Sequence, residues 1–187
     1  MPGSASSARR RRNTPINEGL TAPDRNPRDG DVRVFILFAS LFAFLDQFTK
    51  ALAIIYLTPH RPQSVLGTFV QFTLIRNRGA AFGISFGSNS EFFLLVLSSL
   101  AIVLIVFYYI RSSPSGICQH LSFGLISGGA VGNTIDRIAK GEVVDFIDCG
   151  VGDLRWPIFN VADIAVTLGA LILLVYSFTR SSHRPPG

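Results

Sequence analysis

Four apolar stretches dominate the chain, at about Val34 to Leu57, Phe92 to Ile110, Leu121 to Ile138 and Pro157 to Phe178. Each is close to the ~20 residues that cross a ~30 Å hydrocarbon core, so the pattern predicts an all-α membrane protein with four transmembrane helices. Only the second stretch is free of polar interruptions. The first holds Asp46, Gln47 and Lys50, the third Asn133, Asp136 and Arg137, and the fourth Asn160 and Asp163. Such groups are expensive in lipid and point to function. Between the first and second stretches Val70, Phe72 and Leu74 alternate with Gln71 and Thr73, which is strand periodicity, and Asn77-Arg78-Gly79 is a turn signal. This predicts a small β-rich extracytoplasmic segment between helices 1 and 2, at about 58–90, resting on the outer membrane face. Two strands alone are marginal and need something to pack on.

Composition agrees with a membrane protein. The 187 residues are 48% apolar and only 16% charged, against roughly 25% charged residues in ordinary soluble domains. Seven of the 17 basic residues lie in the first 33 positions beside four acids, so this segment supplies +3 of the net +5. The high pI therefore describes a tail and not a folded basic face, which argues against nucleic acid as a partner. Residues 1–31 carry no apolar run that could serve as a cleavable signal peptide, and Glu18, Asp24, Asp29 and Asp31 weigh against a transit peptide. The reading is a disordered basic tail (1–31), a single membrane domain (32–180) and a C-terminal tail (181–187).

Orientation follows from the Lys and Arg in the flanks. The N-terminal tail, loop 111–120 and the C-terminal end carry ten; loops 58–91 and 137–156 carry six. Both termini are thus expected in the cytoplasm. Cys118 and Cys149 then lie on opposite sides, and no intrachain disulfide is expected.

Asp46 and Lys50, spaced i, i+4, share a helix face in the favoured order and can neutralise each other as a structural ion pair. Gly124, Gly128 and Gly132 recur every four residues, a seam that lets a neighbouring backbone approach closely. Asn133, Asp136 and Arg137 make one polar face on the same helix, most simply a supporting hydrogen-bond network. Asp145 follows in a short extended run, and Asp163 sits near the start of the fourth helix. Asn160, three residues before Asp163, resembles an N-cap in which both residues satisfy free backbone N–H groups. Two carboxyls brought together in a low-dielectric pocket cannot both ionise, which makes a ready acid/base pair. The charged member can deprotonate water as it attacks a carbonyl, and the neutral member can bind the carbonyl oxygen and protonate the leaving nitrogen. The three histidines, His60, His120 and His183, fall in loops or the tail without metalloprotease spacing, so neither a metal nor another cofactor is expected. A Ser/Lys dyad would need a serine at the depth of Lys50, and Ser40 lies roughly 15 Å away along a helix.

Five motifs occur in order: Asp46-Gln47-Phe48-Thr49-Lys50, Asn77-Arg78-Gly79-Ala80-Ala81-Phe82-Gly83, Gly128 through Arg137, Val143-Val144-Asp145-Phe146 and Phe159-Asn160-Val161-Ala162-Asp163. Over residues 34 to about 178 the chain resembles bacterial lipoprotein signal peptidase, or signal peptidase II. The resemblance implies a globomycin-sensitive intramembrane aspartic endopeptidase of the bacterial inner membrane, with its active site near the outer leaflet. Its substrates would be diacylglyceryl-modified prolipoproteins, cut just before the lipidated cysteine; its other partners would be membrane lipids, and the chain would work as a monomer. Motif by motif, the catalytic pair corresponds to Asp145 and Asp163. Asp46, Lys50, Asn77, Arg78, Asn133, Asp136, Arg137 and Asn160 match positions that line or brace the site; Asp136 is assigned to support because it shares a helix turn with Arg137. The strand at 70–74 is expected to hold the unwound substrate by backbone pairing. The basic tail departs from the family pattern.

Two readings from other classes compete. A small proton-coupled four-helix transporter predicts one essential acid near mid-membrane. A non-catalytic assembly factor predicts graded losses from mutation.

Overall fold

The computed structural model describes residues 27–78, 80–81, 84–85, 90–112, 114 and 116–181. Four helices form: α1 (Pro27–Tyr56), α2 (Ser90–Ser112), α3 (Ile117–Lys140) and α4 (Val161–Ser181). Helix α1 thus begins inside the segment expected as tail; residues 1–26 and 182–187, with His183, lie outside the described residues.

Among the described residues three helices are long and apolar enough to cross a membrane, spanning Val32–Tyr56, Ser90–Ser112 and Val161–Thr179. Helix α3 has the length, 24 residues, but carries glycines, serines and the Asn133, Asp136, Arg137 and Lys140 group. Its position explains how it tolerates them, because α3 packs against all three other helices. A helix wrapped by protein can keep polar groups that a lipid-facing one cannot. The glycine seam makes this packing possible. A Cβ at Gly124 would lie 2.9 Å from Phe35 O, and one at Gly128 2.6 Å from Ala39 O, both on the α1 backbone. Gly129 meets Ala162 and Val166 of α4 in the same way.

At the other end of the bundle, Phe35 stacks on Tyr109 at 4.3 Å and the Tyr109 hydroxyl meets His120 Nδ1 at 2.8 Å. His120 is therefore a buried residue of α3, not a loop residue as its neighbourhood in sequence suggested. Helices α2 and α3 are separated by 113–116 alone, since the aromatic packing of Tyr109 on His120 and Phe123 draws the start of α3 close to the end of α2.

The segments between the helices build an antiparallel sheet in the order β1 (Gln63–Leu66), β2 (Val70–Asn77), β5 (Val143–Val151), β6 (Leu154–Arg155); β3 (Ala80–Ala81) and β4 (Ile84–Ser85) form a separate pair. The sheet is thus not confined between helices 1 and 2. Half of it comes from the α3–α4 connection, and β5 is the support that β2 lacked in the sequence reading. The β2·β5 ladder runs from Val70 opposite Cys149 to Asn77 opposite Val143, with an irregularity between Phe72 and Ile75. Leu74, Val144 and Phe146 pack with Ala53 of α1 in a buried cluster that seats the sheet on the bundle.

This pairing corrects one expectation. Strand β2 has β1 on its other side over Val70–Phe72, and Leu74 O accepts from His60 N at 3.1 Å. Val70–Phe72 are paired on both sides and the Leu74 carbonyl is engaged, so this stretch is not a free edge to which a substrate strand could add. Cys118 and Cys149 are both free thiols, one in the first turn of α3 and the other in β5.

Candidate active site

Asp145 owes its direction to strand alternation. Val144 and Phe146 enter the core beside Leu74, so the side chain between them points to the opposite face. There Asn160 Nδ2 donates to Asp145 Oδ1 at 2.7 Å and Asn77 Nδ2 donates to Asp145 Oδ2 at 3.2 Å. Asp145 is only 4% exposed. Burial first, then the charge of neighbouring Asp163, push its carboxyl up from 3.8 to about 6, against the hydrogen bonds from Asn77 and Asn160 and the positive charge of Lys50.

Asp163 is placed by the start of α4. The fourth apolar stretch turns helical only at Val161, because residues through Phe159 pair with the sheet: Phe159 N donates to Ile147 O and its carbonyl accepts from Ile147 N. Asn160 is then the N-cap and Asp163 the third helical residue. Asn160 Oδ1 accepts from Asp163 N at 3.0 Å, and Asp163 Oδ2 accepts from Asn160 N at 3.1 Å, a reciprocal capping box. The cap suspected from spacing thus includes Asp163 as fully as Asn160, and it holds the aspartate in place instead of competing with its use. The other oxygen, Oδ1, accepts from Asn133 Nδ2 at 2.9 Å.

Beneath the two aspartates lies a buried charge cluster. Lys50 Nζ lies 2.7 Å from Asp46 Oδ2, 2.9 Å from Asp136 Oδ2 and 2.8 Å from Asn133 Oδ1. The expected Asp46–Lys50 pair therefore exists, but Lys50 also serves Asp136. Asp46 Oδ1 accepts from Ala162 N at 2.9 Å, satisfying another free donor of α4. Asp136, expected to support the site beside Arg137, makes its described ion pairs and hydrogen bonds with other residues. Its partners are Lys50, Lys140 Nζ at 2.9 Å, Val144 N at 3.3 Å and Gln47 Nε2 at 3.5 Å, because Lys140 follows one full turn later whereas Arg137 leaves the helix in another direction. Arg137 Nη1 reaches Asn133 O at 3.4 Å, and Asp163, Asp145 and Asp136 all lie within range of its charge.

Arg78 is the candidate that the fold does not bring to the aspartates. Its side chain is 76% exposed and Nε donates to Glu142 Oε2 at 3.1 Å. Sequence reasoning missed Glu142, and also Asp148, which accepts from Thr73 Oγ1 at 2.9 Å and from Arg155 Nη2 at 2.6 Å. Their signal was present as acids beside a hydrophobic strand, but their partners lie far away in sequence. Among the described residues no group of three or more His, Cys, Asp or Glu is disposed to hold a metal ion.

A family model described as signal peptidase (SPase) II matches residues 38–179. The chain belongs to that family. The lipoprotein signal peptidase of Syntrophus aciditrophicus is 39% identical over 145 residues, covering 76% of this chain and 90% of the relative. That of Chlorobium luteolum is 43% identical over 155 residues, covering 78% and 91%. A solved bacterial membrane enzyme superimposes with a TM-score of 0.73 at 30% identity, covering 82% of this chain and 92% of the other. The chain is thus a membrane-embedded peptidase by family. All five sequence motifs fall inside the matched region.

Proposed function

We propose that the protein is an intramembrane aspartic endopeptidase that removes the signal peptide from diacylglyceryl-modified prolipoproteins, cutting N-terminal to the lipidated cysteine. The observation that carries this reading is Asn160, which holds both acids at once, its side chain on Asp145 and its backbone N–H on Asp163. One carboxyl is buried and protonates readily. The other accepts two N–H donors at a helix N-terminus, where the dipole favours an anion. Asp163 then serves as base, taking a proton from water as the water oxygen bonds to the scissile carbonyl carbon. Protonated Asp145 hydrogen-bonds the carbonyl oxygen and gives its proton to the leaving nitrogen as the C–N bond breaks. No covalent enzyme intermediate forms.

The supporting residues act on this pair. Asn133 and Asn160 aim the carboxyls, Asn77 touches Asp145, and the Asp46–Lys50–Asp136 cluster fixes α1 and α3 beneath them. Asp163 lies in the first turn of α4, so water and the end of a membrane-inserted signal helix can meet it at the outer boundary of the bilayer. We place the protein in the bacterial inner membrane as a monomer with both termini cytoplasmic. The proton-coupled transporter gains no support from the family match.

The test is cleavage of a lipid-modified prolipoprotein by purified, reconstituted protein. The parent should cleave and be blocked by globomycin, while Asp145→Asn and Asp163→Asn insert normally but do not cleave. Parental rates in either variant would remove the aspartic mechanism.

A further inference from the structure

Glu142 is the first residue beyond Gly141, where a left-handed backbone (φ 70) ends α3, and it precedes Asp145 by three residues. Its side chain is only 6% exposed. A carboxylate so enclosed must be paired, and its partners come from the end of β2 and the residue just after it: Arg76 Nη1 at 2.6 Å and Arg78 Nε at 3.1 Å. The Arg76 hydrogen bond above all holds the Glu142 acid below its ordinary range.

The two arginines flank Asn77. That residue forms the last rung of the β2·β5 ladder, opposite Val143, and terminal rungs are where ladders fray. Its contact with Asp145 is the longer of that carboxyl's two hydrogen bonds, 3.2 Å against 2.7 Å from Asn160. Glu142 thus grips both neighbours of Asn77, whose own amide turns toward Asp145.

We infer that Glu142 is a positioning residue of the proposed peptidase site, acting through Arg76 and Arg78 to hold Asn77 against Asp145. The inference rests on the reading of Asp145 as catalytic. The other groups acting on Asp145 come from elsewhere: Asn160 and Asp163 at the start of α4, Lys50 on α1 and Arg137 on α3. Glu142 therefore governs the β2 side alone.

The experiment is a titration of the Asp145 carboxyl by 13C NMR in detergent, together with the pH profile of prolipoprotein cleavage, for the parent, Glu142→Gln, Asn77→Ala and the double variant. Deleting a negative charge would by itself make Asp145 more acidic. Loss of the Asn77 hydrogen bond acts the other way, so Glu142→Gln should move the titration upward by on the order of half a pH unit and lower kcat about tenfold. Asn77→Ala, which leaves the Glu142 charge in place, should give a larger upward shift, and the double variant no more than Asn77→Ala alone. Should Glu142→Gln not fold, the exposed-side pair Arg76→Lys with Arg78→Lys keeps the charges but loses the guanidinium fork, and should give the same upward shift. A titration that stays put or moves down, or full additivity with Asn77→Ala, overturns the inference. A parent that fails to cleave prolipoprotein would overturn the peptidase reading, while the NMR titration still judges Glu142.

Discussion

Asn133 presents its amide nitrogen to Asp163, Nδ2 to Oδ1 at 2.9 Å. Lys50 decides that orientation: an ammonium can only donate, so the amide oxygen must face Nζ at 2.8 Å, and the nitrogen is left for the aspartate. Asn133→Asp keeps the shape but cannot donate, and it sets another carboxylate beside the pair. It should reduce kcat about a hundredfold, the loss typical of one oriented donor, with KM little changed. Steady-state cleavage kinetics check this.

The raised Asp145 pKa has a defined sign for stability. An acid that holds its proton more tightly when folded contributes stability that is fully present below the ordinary 3.8 and is lost as pH rises through about 6. At pH 7.5 the folded protein therefore carries the cost of a buried charge. Asp145→Asn removes it, so this variant should be more stable than the parent at pH 7.5, by up to about 3 kcal/mol at the conversion of roughly 1.4 kcal/mol per unit. The difference should vanish near pH 4. Thermal unfolding in detergent at both pH values measures it.

Activity should follow the same group. If Asp145 works protonated, kcat/KM, which reports the free enzyme, should fall as pH rises through about 6. A profile flat from pH 5 to 8 would contradict that role.

Asn160 does two things that substitution can separate. Asn160→Ala loses the cap on Asp163 N and the donor to Asp145, and should cost about 1 kcal/mol for the cap alone as well as activity. Asn160→Asp keeps the cap but places a like charge where the Asp145 donor stood. It should retain more stability than the alanine variant and move the alkaline limb of the pH profile upward. Paired melting and pH–rate measurements separate the two roles.

Gly128→Ala tests the helix seam. A Cβ there would sit 2.6 Å from Ala39 O, a backbone atom that cannot rotate away. Overpacking of this kind costs typically 1–3 kcal/mol, and a lowered melting temperature with α1 pushed from α3 should also loosen Lys50 on Asn133 and reduce cleavage.

Much of this was legible beforehand. The i, i+4 spacing of Asp46 and Lys50, the four-residue glycine repeat and the Asn160–Asp163 cap are local relations, set by helical geometry within one segment. The apolar runs marked out four helices, of which three are apolar enough to cross a membrane and α3 is the one packed against the other three. What escaped was non-local. Val143–Val151 pairs with Val70–Asn77 across a separation that includes two helices, and no periodicity within either segment names its partner. The partners of Arg78 and Asp136 could not be read either, since reach and direction depend on where Glu142 and Lys50 arrive.

By itself the order of residues determined which chemistry is available and along which helix or strand face it lies, because backbone geometry repeats every few residues whatever the surroundings. Only the tertiary structure decided that one asparagine would clasp both acids, that Lys50 would orient Asn133, and that Asp145 would be shielded enough to hold its proton to about pH 6. Those outcomes depend on burial and on charges contributed by four separate elements, and such environments exist only once the chain has closed on itself.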